Sequence, residues 1–172
     1  IEDFNENRVT GSIQSVGSAP AVQITPDLDG DASSSITLGT VIETVRDTQD
    51  DDEDDDTTET LATFTYDHGL INRGQISANG LNVGFEATGL QISGSEDGNF
   101  TTTITGGILN NGLINASAAE ADAVAIDLGS GAIIGQLDNE GTISASTTTT
   151  GGNTVTALRI GDGAELTSLT NN

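Results

Sequence analysis

The side chains best suited to chemistry in this 172-residue chain are carboxylates, and three of them stand at alternate positions. Asp27, Asp29 and Asp31 lie in one short segment, with Gly30 between the last two. Hard cations bind several oxygen ligands, and Ca²⁺ accepts them from irregular loops. The segment departs from the helix–loop–helix calcium motif because glycine falls at the fourth place and Leu38 occupies the twelfth. We predict calcium as the candidate cofactor, bound by these three aspartates; a solvated Asp-Gly turn is the alternative.

A second acidic feature is the run within residues 47–60, in which every residue from Asp50 to Asp56 is acidic. Like charges at this density repel one another, which predicts a solvated outer loop that also repels other anionic surfaces. Weak and non-specific calcium binding is the alternative interpretation of this run.

Two further patterns invite a catalytic interpretation. His68 follows Asp67, which suggests general acid–base catalysis. However, the sequence has no Cys and no Gly-x-Ser-x-Gly motif that would supply a nucleophile. We therefore predict a lone surface histidine. The carboxylate pairs Glu120 with Asp122, and Glu96 with Asp97, have the residue types that hydrolyse glycosides.

The composition argues against that chemistry. Clefts that bind sugars use aromatic platforms, yet the chain has no Trp and a single Tyr, Tyr66. Enzymes that act on acidic sugars need cationic side chains, and Lys and Arg together number only 4. The sequence predicts that the protein is not an enzyme; a carbohydrate-active protein that binds or cleaves neutral glycans is the alternative.

The charge balance excludes other partners. The net charge is −23, so no basic patch exists to neutralise the phosphates of a nucleic acid or of an anionic membrane. No apolar run approaches the roughly 18 residues of a membrane span, so we expect no membrane insertion by this segment. The absence of Cys is compatible with a secreted bacterial protein.

An internal repeat organises the chain. The pattern Asn-x-Gly-x-Ile-x-Ala begins at Asn72, Asn110 and Asn139, and Asn171 begins a partial copy; the asparagines are 38, 29 and 32 residues apart. Asn and Gly tolerate the left-handed backbone of tight corners. We predict that these asparagines are stacked corner residues that hydrogen-bond along the stacking axis, rather than ligand contacts.

The segments between corners predict the fold. They alternate apolar and polar residues, are rich in β-branched residues and end at Gly, Asn or Asp, which is typical of short strands. Three such strands per repeat predict an all-β parallel β-helix (solenoid) with irregular coils of about 30 residues. No hexapeptide period is present, which favours the right-handed form. We expect one domain over residues 1–172, with outer loop insertions at 19–35 and 47–60, as a stacking unit or a segment of a longer solenoid.

The Asn-x-Gly-x-Ile phrases, with Ala157-Leu158-Arg159-Ile160-Gly161 between asparagine corners, resemble the passenger repeats of bacterial autotransporters. The resemblance covers residues 69–172 well and the first 68 loosely. It implies secretion, display on the bacterial cell surface and a role in adhesion or surface architecture. We therefore expect a non-catalytic extracellular rod. Its expected partners are other copies of itself, stacked by their coil ends into filaments, or a host or neighbouring cell surface.

Overall fold

The computed structural model describes residues 10–26, 34–46, 61–148 and 151–172. All helix and strand structure in these ranges consists of β-strands, which confirms the predicted all-β class. No helix with the length and apolarity needed to cross a membrane occurs among the described residues.

The strands follow one another closely along the chain. In order they are β1 (Ser12–Val16), β2 (Val22–Ile24), β3 (Ile36–Leu38), β4 (Ile42–Arg46), β5 (Leu61–Thr65), β6 (Leu70–Asn72), β7 (Gln75–Gly80), β8 (Ala87–Ile92), β9 (Thr102–Ile104), β10 (Ile108–Asn110), β11 (Leu113–Ala118), β12 (Ala123–Leu128), β13 (Ala132–Asn139), β14 (Thr142–Thr147), β15 (Val155–Ile160) and β16 (Glu165–Asn171).

Three parallel sheets contain all of these strands except β4 and β5. The first sheet has the order β1-β7-β11-β14 and the second has the order β2-β8-β12-β15. The third sheet is built on β13, whose first half pairs with β9 and whose second half pairs with β10, and it also contains β3, β6 and β16. Four repeats (residues 12–72, 75–110, 113–139 and 142–171) each visit the first, second and third sheets in that order.

The strand register aligns apolar side chains from all four repeats in five columns. Members from the second and third repeats are buried and form the main hydrophobic core, whereas several members from the first and fourth repeats are half exposed. The columns are Ile13-Ile76-Ile114-Ile143, Val22-Leu90-Ile126-Leu158, Ile24-Ile92-Leu128-Ile160, Leu38-Ile104-Ile134-Leu166 and Leu70-Ile108-Leu137-Leu169. Because each column spans all four repeats, the core belongs to no single repeat.

A steric constraint explains why glycine stands two residues after Asn72, Asn110 and Asn139. A Cβ atom on Gly112 would overlap the carbonyl oxygen of Gly74, and one on Gly141 would overlap the carbonyl oxygen of Gly112. The backbones of neighbouring repeats therefore approach more closely here than any side chain permits.

The two predicted insertions differ in their outcome. Within residues 19–35, Val22–Ile24 form β2 rather than loop, because Val22 and Ile24 alternate with Gln23 and pair in register with β8. The predicted insertion at 47–60 lies outside the described residues, but the strands beside it, β4 and β5, form an antiparallel pair. This hairpin interrupts the first repeat between β3 and β6.

Candidate functional site

The predicted calcium ligands Asp27, Asp29 and Asp31 lie outside the described residues, as does the acidic run of residues 47–60. Within the described ranges, no group of three or more His, Cys, Asp or Glu side chains is placed to hold a metal ion. The calcium site therefore stays a prediction.

The corner asparagines form a continuous hydrogen-bonded column. Nδ2 of Asn72 donates to Oδ1 of Asn110 at 2.7 Å, and Nδ2 of Asn110 donates to Oδ1 of Asn139 at 2.7 Å. The same bond links Asn139 to Asn171 at 2.6 Å. Asn110 is completely buried at the centre of the column. The prediction of stacked, hydrogen-bonded corner residues is confirmed, and the amide groups are used within the fold.

His68 is not the lone surface residue that the sequence predicted. Its side chain is only 12% exposed, and its Nε2 lies 2.8 Å from Oδ2 of Asp138 and 3.1 Å from the amide nitrogen of Gln136. The hydrogen bond with His68 is the main reason that the pKa of Asp138 lies below its ordinary value. Asp138 was missed because it follows His68 by 70 residues.

Two glycines explain how His68 in the first repeat reaches side chains of the third. A Cβ on Gly106 would overlap the carbonyl oxygen of Asp67, and one on Gly107 would overlap the carbonyl oxygen of Gln136. At Gly106 and Gly107 the second repeat therefore has no side chain that would separate the first repeat from the third. The Gly106-Gly107 pair was the available sequence signal, but it does not identify the residues that meet across it.

Tyr66 is held between two charged side chains. Its hydroxyl donates to Oε2 of Glu43 at 2.8 Å, and the Arg73 guanidinium lies 4.8 Å from the centre of its ring. Arg73 also lies 3.4 Å from Glu43. The contacts join the hairpin to the first corner and place a cation over the ring of Tyr66.

Arg159 is paired on the outer face of the second sheet. Its Nε and a terminal guanidinium nitrogen each donate to one carboxylate oxygen of Asp127 at 2.7 Å. Gln91, in register with both residues, donates to the same carboxylate at 3.3 Å. The hydrogen bond with Asp127 is the main cause that raises the pKa of Arg159 above its ordinary value. The ion pair crosses from the third repeat to the fourth and links the two.

One aspartate of each candidate carboxylate pair has a structural hydrogen-bond partner. Asp97 accepts hydrogen bonds from the Ser95 hydroxyl at 2.6 Å and the Asn99 backbone at 3.0 Å, and the Ser95 bond is the main cause of its lowered pKa. A catalytic acid needs the opposite shift. Asp122 accepts a hydrogen bond from the backbone of Thr154 at 2.6 Å. The structure thus gives Asp97 a role in a turn and Asp122 a role in joining the third repeat to the fourth.

A cavity of about 570 Å³ opens beside the first repeat. Its apolar walls include Ile13, Val22 and Leu70, which are end members of the core columns, and the paired Glu43 and Arg73 stand at its polar side. The cavity is therefore continuous with the apolar interior.

No family model, curated protein or solved structure matches this chain.

Proposed function

We propose that this chain is a non-catalytic structural or adhesive rod of the extracellular bacterial surface, built as a right-handed parallel β-solenoid. One observation carries the proposal: successive repeats pair in parallel and in register in all three sheets. A fold of this kind grows by adding repeats, and each addition lengthens the same core.

The use of polar side chains supports a structural role. The Asn column, the Arg159–Asp127 pair and the His68–Asp138 contact all join different repeats. These groups satisfy one another and hold the repeats together. Because these three polar groups are used in contacts between repeats, they favour a rod over a glycan-cleaving enzyme.

Self-association is the form of the proposal that can be tested first. β14, β15 and β16 each pair on one side only among the described strands. Ile160 and Leu169 are more than half exposed there, at the ends of their columns. Another repeat, supplied by the same polypeptide or by a second copy, would pair with the free strand edges and cover these side chains.

Electron microscopy of the purified 172-residue chain, with calcium or with a chelator, tests this proposal. Filaments of constant width in both conditions support stacking of copies, and filaments with calcium alone assign a bridging role to the acidic segments. Isolated short particles in both conditions contradict self-assembly but leave a displayed rod. A solved structure with a closed globular sheet in place of stacked coils would contradict the solenoid itself.

Matched variants sharpen the experiment. Ile160→Asp and Leu169→Asp place a charge at the free edge, whereas Ile42→Asp places one on the hairpin at a side chain of similar exposure. We expect the first two to abolish filaments and the third to leave them intact. The alternative function predicts that the protein releases reducing ends from neutral glycans. If it does, and if Glu120→Gln/Asp122→Asn abolishes the release, the protein is an enzyme and the proposal of a non-catalytic rod is wrong.

A further inference from the structure

The loop between β7 and β8, residues 81–86, exposes three large apolar side chains. Leu81 is 69% exposed, Val83 is 66% exposed and Phe85 is 44% exposed. Single exposed apolar residues are common on protein surfaces, but a group of them within one short segment indicates a contact surface. We name residues 81–86 the apolar loop.

Backbone contacts fix the shape of the apolar loop. The Gly84 N–H donates to the Ala119 carbonyl at 3.1 Å, and the Phe85 N–H donates to the Asn82 carbonyl at 3.1 Å. A Cβ on Gly80 would overlap the Phe85 carbonyl oxygen, so the loop packs directly on the end of its strand. Because the loop is held in this way, little entropy remains to be lost when a partner binds.

The fold does not require apolar residues at this crossing. In the first repeat the chain passes from the first to the second sheet through residues 17–21, Gly-Ser-Ala-Pro-Ala. In the third repeat the crossing is Ala-Glu-Ala-Asp, residues 119–122, and in the fourth its residues are Thr, Gly and Asn. The large apolar side chains of the second repeat are therefore available for something other than folding.

Exposed carboxylates flank the apolar loop. Glu86 follows Phe85 in the chain, and Glu120 follows Ala119, which forms a bridge with Phe85. Glu86 and Asp122 both act electrostatically on Arg159, which is itself paired with Asp127. A second copy that docked through the same loop would bring its own Glu86 and Glu120 against these carboxylates, whereas a cationic partner is attracted to them and to the net charge of −23.

We propose that the apolar loop, with Glu86 and Glu120, is a docking surface for a cationic amphipathic segment of another protein. Apolar side chains of that segment cover Leu81, Val83 and Phe85, and its Lys or Arg side chains pair with the two glutamates. Apolar contact supplies affinity, and the charges supply orientation and a faster encounter. This surface lies on the side of the repeats and does not depend on whether copies stack.

Binding of a synthetic amphipathic peptide of Leu and Lys, measured by fluorescence anisotropy at about 0.15 M salt, tests the proposal. We expect Leu81→Ser/Val83→Ser/Phe85→Ser to weaken binding roughly tenfold or more, which corresponds to about 1.4 kcal/mol. The control Ile42→Ser/Ile160→Ser removes exposed apolar side chains elsewhere and should change little. Circular dichroism verifies that each variant is folded.

The electrostatic part has its own control. Glu86→Gln/Glu120→Gln and Glu140→Gln/Glu165→Gln remove the same charge from exposed positions, and only the first pair should weaken binding by several-fold. Equal losses in the two pairs would mean general attraction to an acidic protein and would overturn the proposal. So would equal binding of oligolysine and of the Leu–Lys peptide. Binding to zwitterionic phosphatidylcholine vesicles without binding to the peptide would assign the loop to a lipid surface and likewise overturn it.

Discussion

Replacing Asn110 with Asp puts a hydrogen-bond acceptor in place of a donor at the centre of the asparagine column. The Asn110 amide nitrogen donates to Asn139 at 2.7 Å and lies 3.3 Å from the carbonyl oxygens of Gly112 and Thr142. A carboxylate oxygen in that position faces acceptors alone, in a completely buried site. Losing the bond costs about 1 kcal/mol, and the unsatisfied buried groups cost about 1–3 kcal/mol more.

We therefore expect Asn110→Asp to lower the free energy of unfolding by about 2–4 kcal/mol at neutral pH. For a domain of this size that lowers Tm by roughly 5–15 °C. Burial raises the pKa of the new carboxyl above its unfolded value, so the folded state takes up a proton. The protonated carboxyl can donate again, and the loss of stability should shrink as the pH falls from 7 towards 4.

Urea unfolding followed by circular dichroism at several pH values measures both effects. Asn111→Asp is the matched control because it makes the same chemical change at the exposed neighbouring residue, where we expect a change within about 0.5 kcal/mol. If Asn110→Asp costs no more than Asn111→Asp, or if its cost is independent of pH, the column does not stabilise the fold as described.

Three further predictions concern backbone packing, pH and calcium. Gly112→Ala should cost about 3 kcal/mol or more because its Cβ overlaps the Gly74 carbonyl, whereas Gly135→Ala, with nothing within 4 Å, should be tolerated; equal unfolding midpoints would contradict this. Asp138→Asn should cost about 1 kcal/mol at neutral pH. Because the pKa of Asp138 is lowered, the carboxylate stabilises the fold above the ordinary Asp pKa, and this contribution is lost as the pH falls through the folded-state value; parallel pH profiles for the variant and the wild type would refute it. Calcium should raise Tm, and Asp27→Asn/Asp29→Asn/Asp31→Asn should abolish the rise; no rise in the wild type, checked against chelator, would remove the predicted site.

Much of the fold was predictable because it rests on local patterns. Alternating apolar and polar residues set the strands, since successive side chains of a strand point to opposite faces. Repetition of Asn-x-Gly predicted which residues stack, because a buried amide carries both a donor and an acceptor and pairs with a copy of itself. The irregular spacing of the asparagines did not disturb this prediction, because the additional residues lie between strands.

The candidate site was less predictable for a physical reason. His68, Gln136 and Asp138 meet because the intervening repeat passes between them as two glycines, and sequence spacing does not encode that approach. The predicted lone histidine was wrong because its partner lies two repeats away. Asp97 and Asp122, which the sequence offered with Glu96 and Glu120 as carboxylate pairs, accept hydrogen bonds within a turn and from the next repeat, respectively.

The sequence by itself determined the all-β class, the apolar alternation along the strands and the hydrogen-bonded asparagine column. The first two depend on the types and spacing of residues within one repeat, and the column depends on the recurrence of the same asparagine phrase in successive repeats. The tertiary structure alone decided the antiparallel hairpin within the first repeat, the cation over Tyr66, and the partners of Arg159 and His68 in other repeats. Such contacts depend on the offset between stacked strands and on where glycine lets backbones approach, which are properties of the packed molecule.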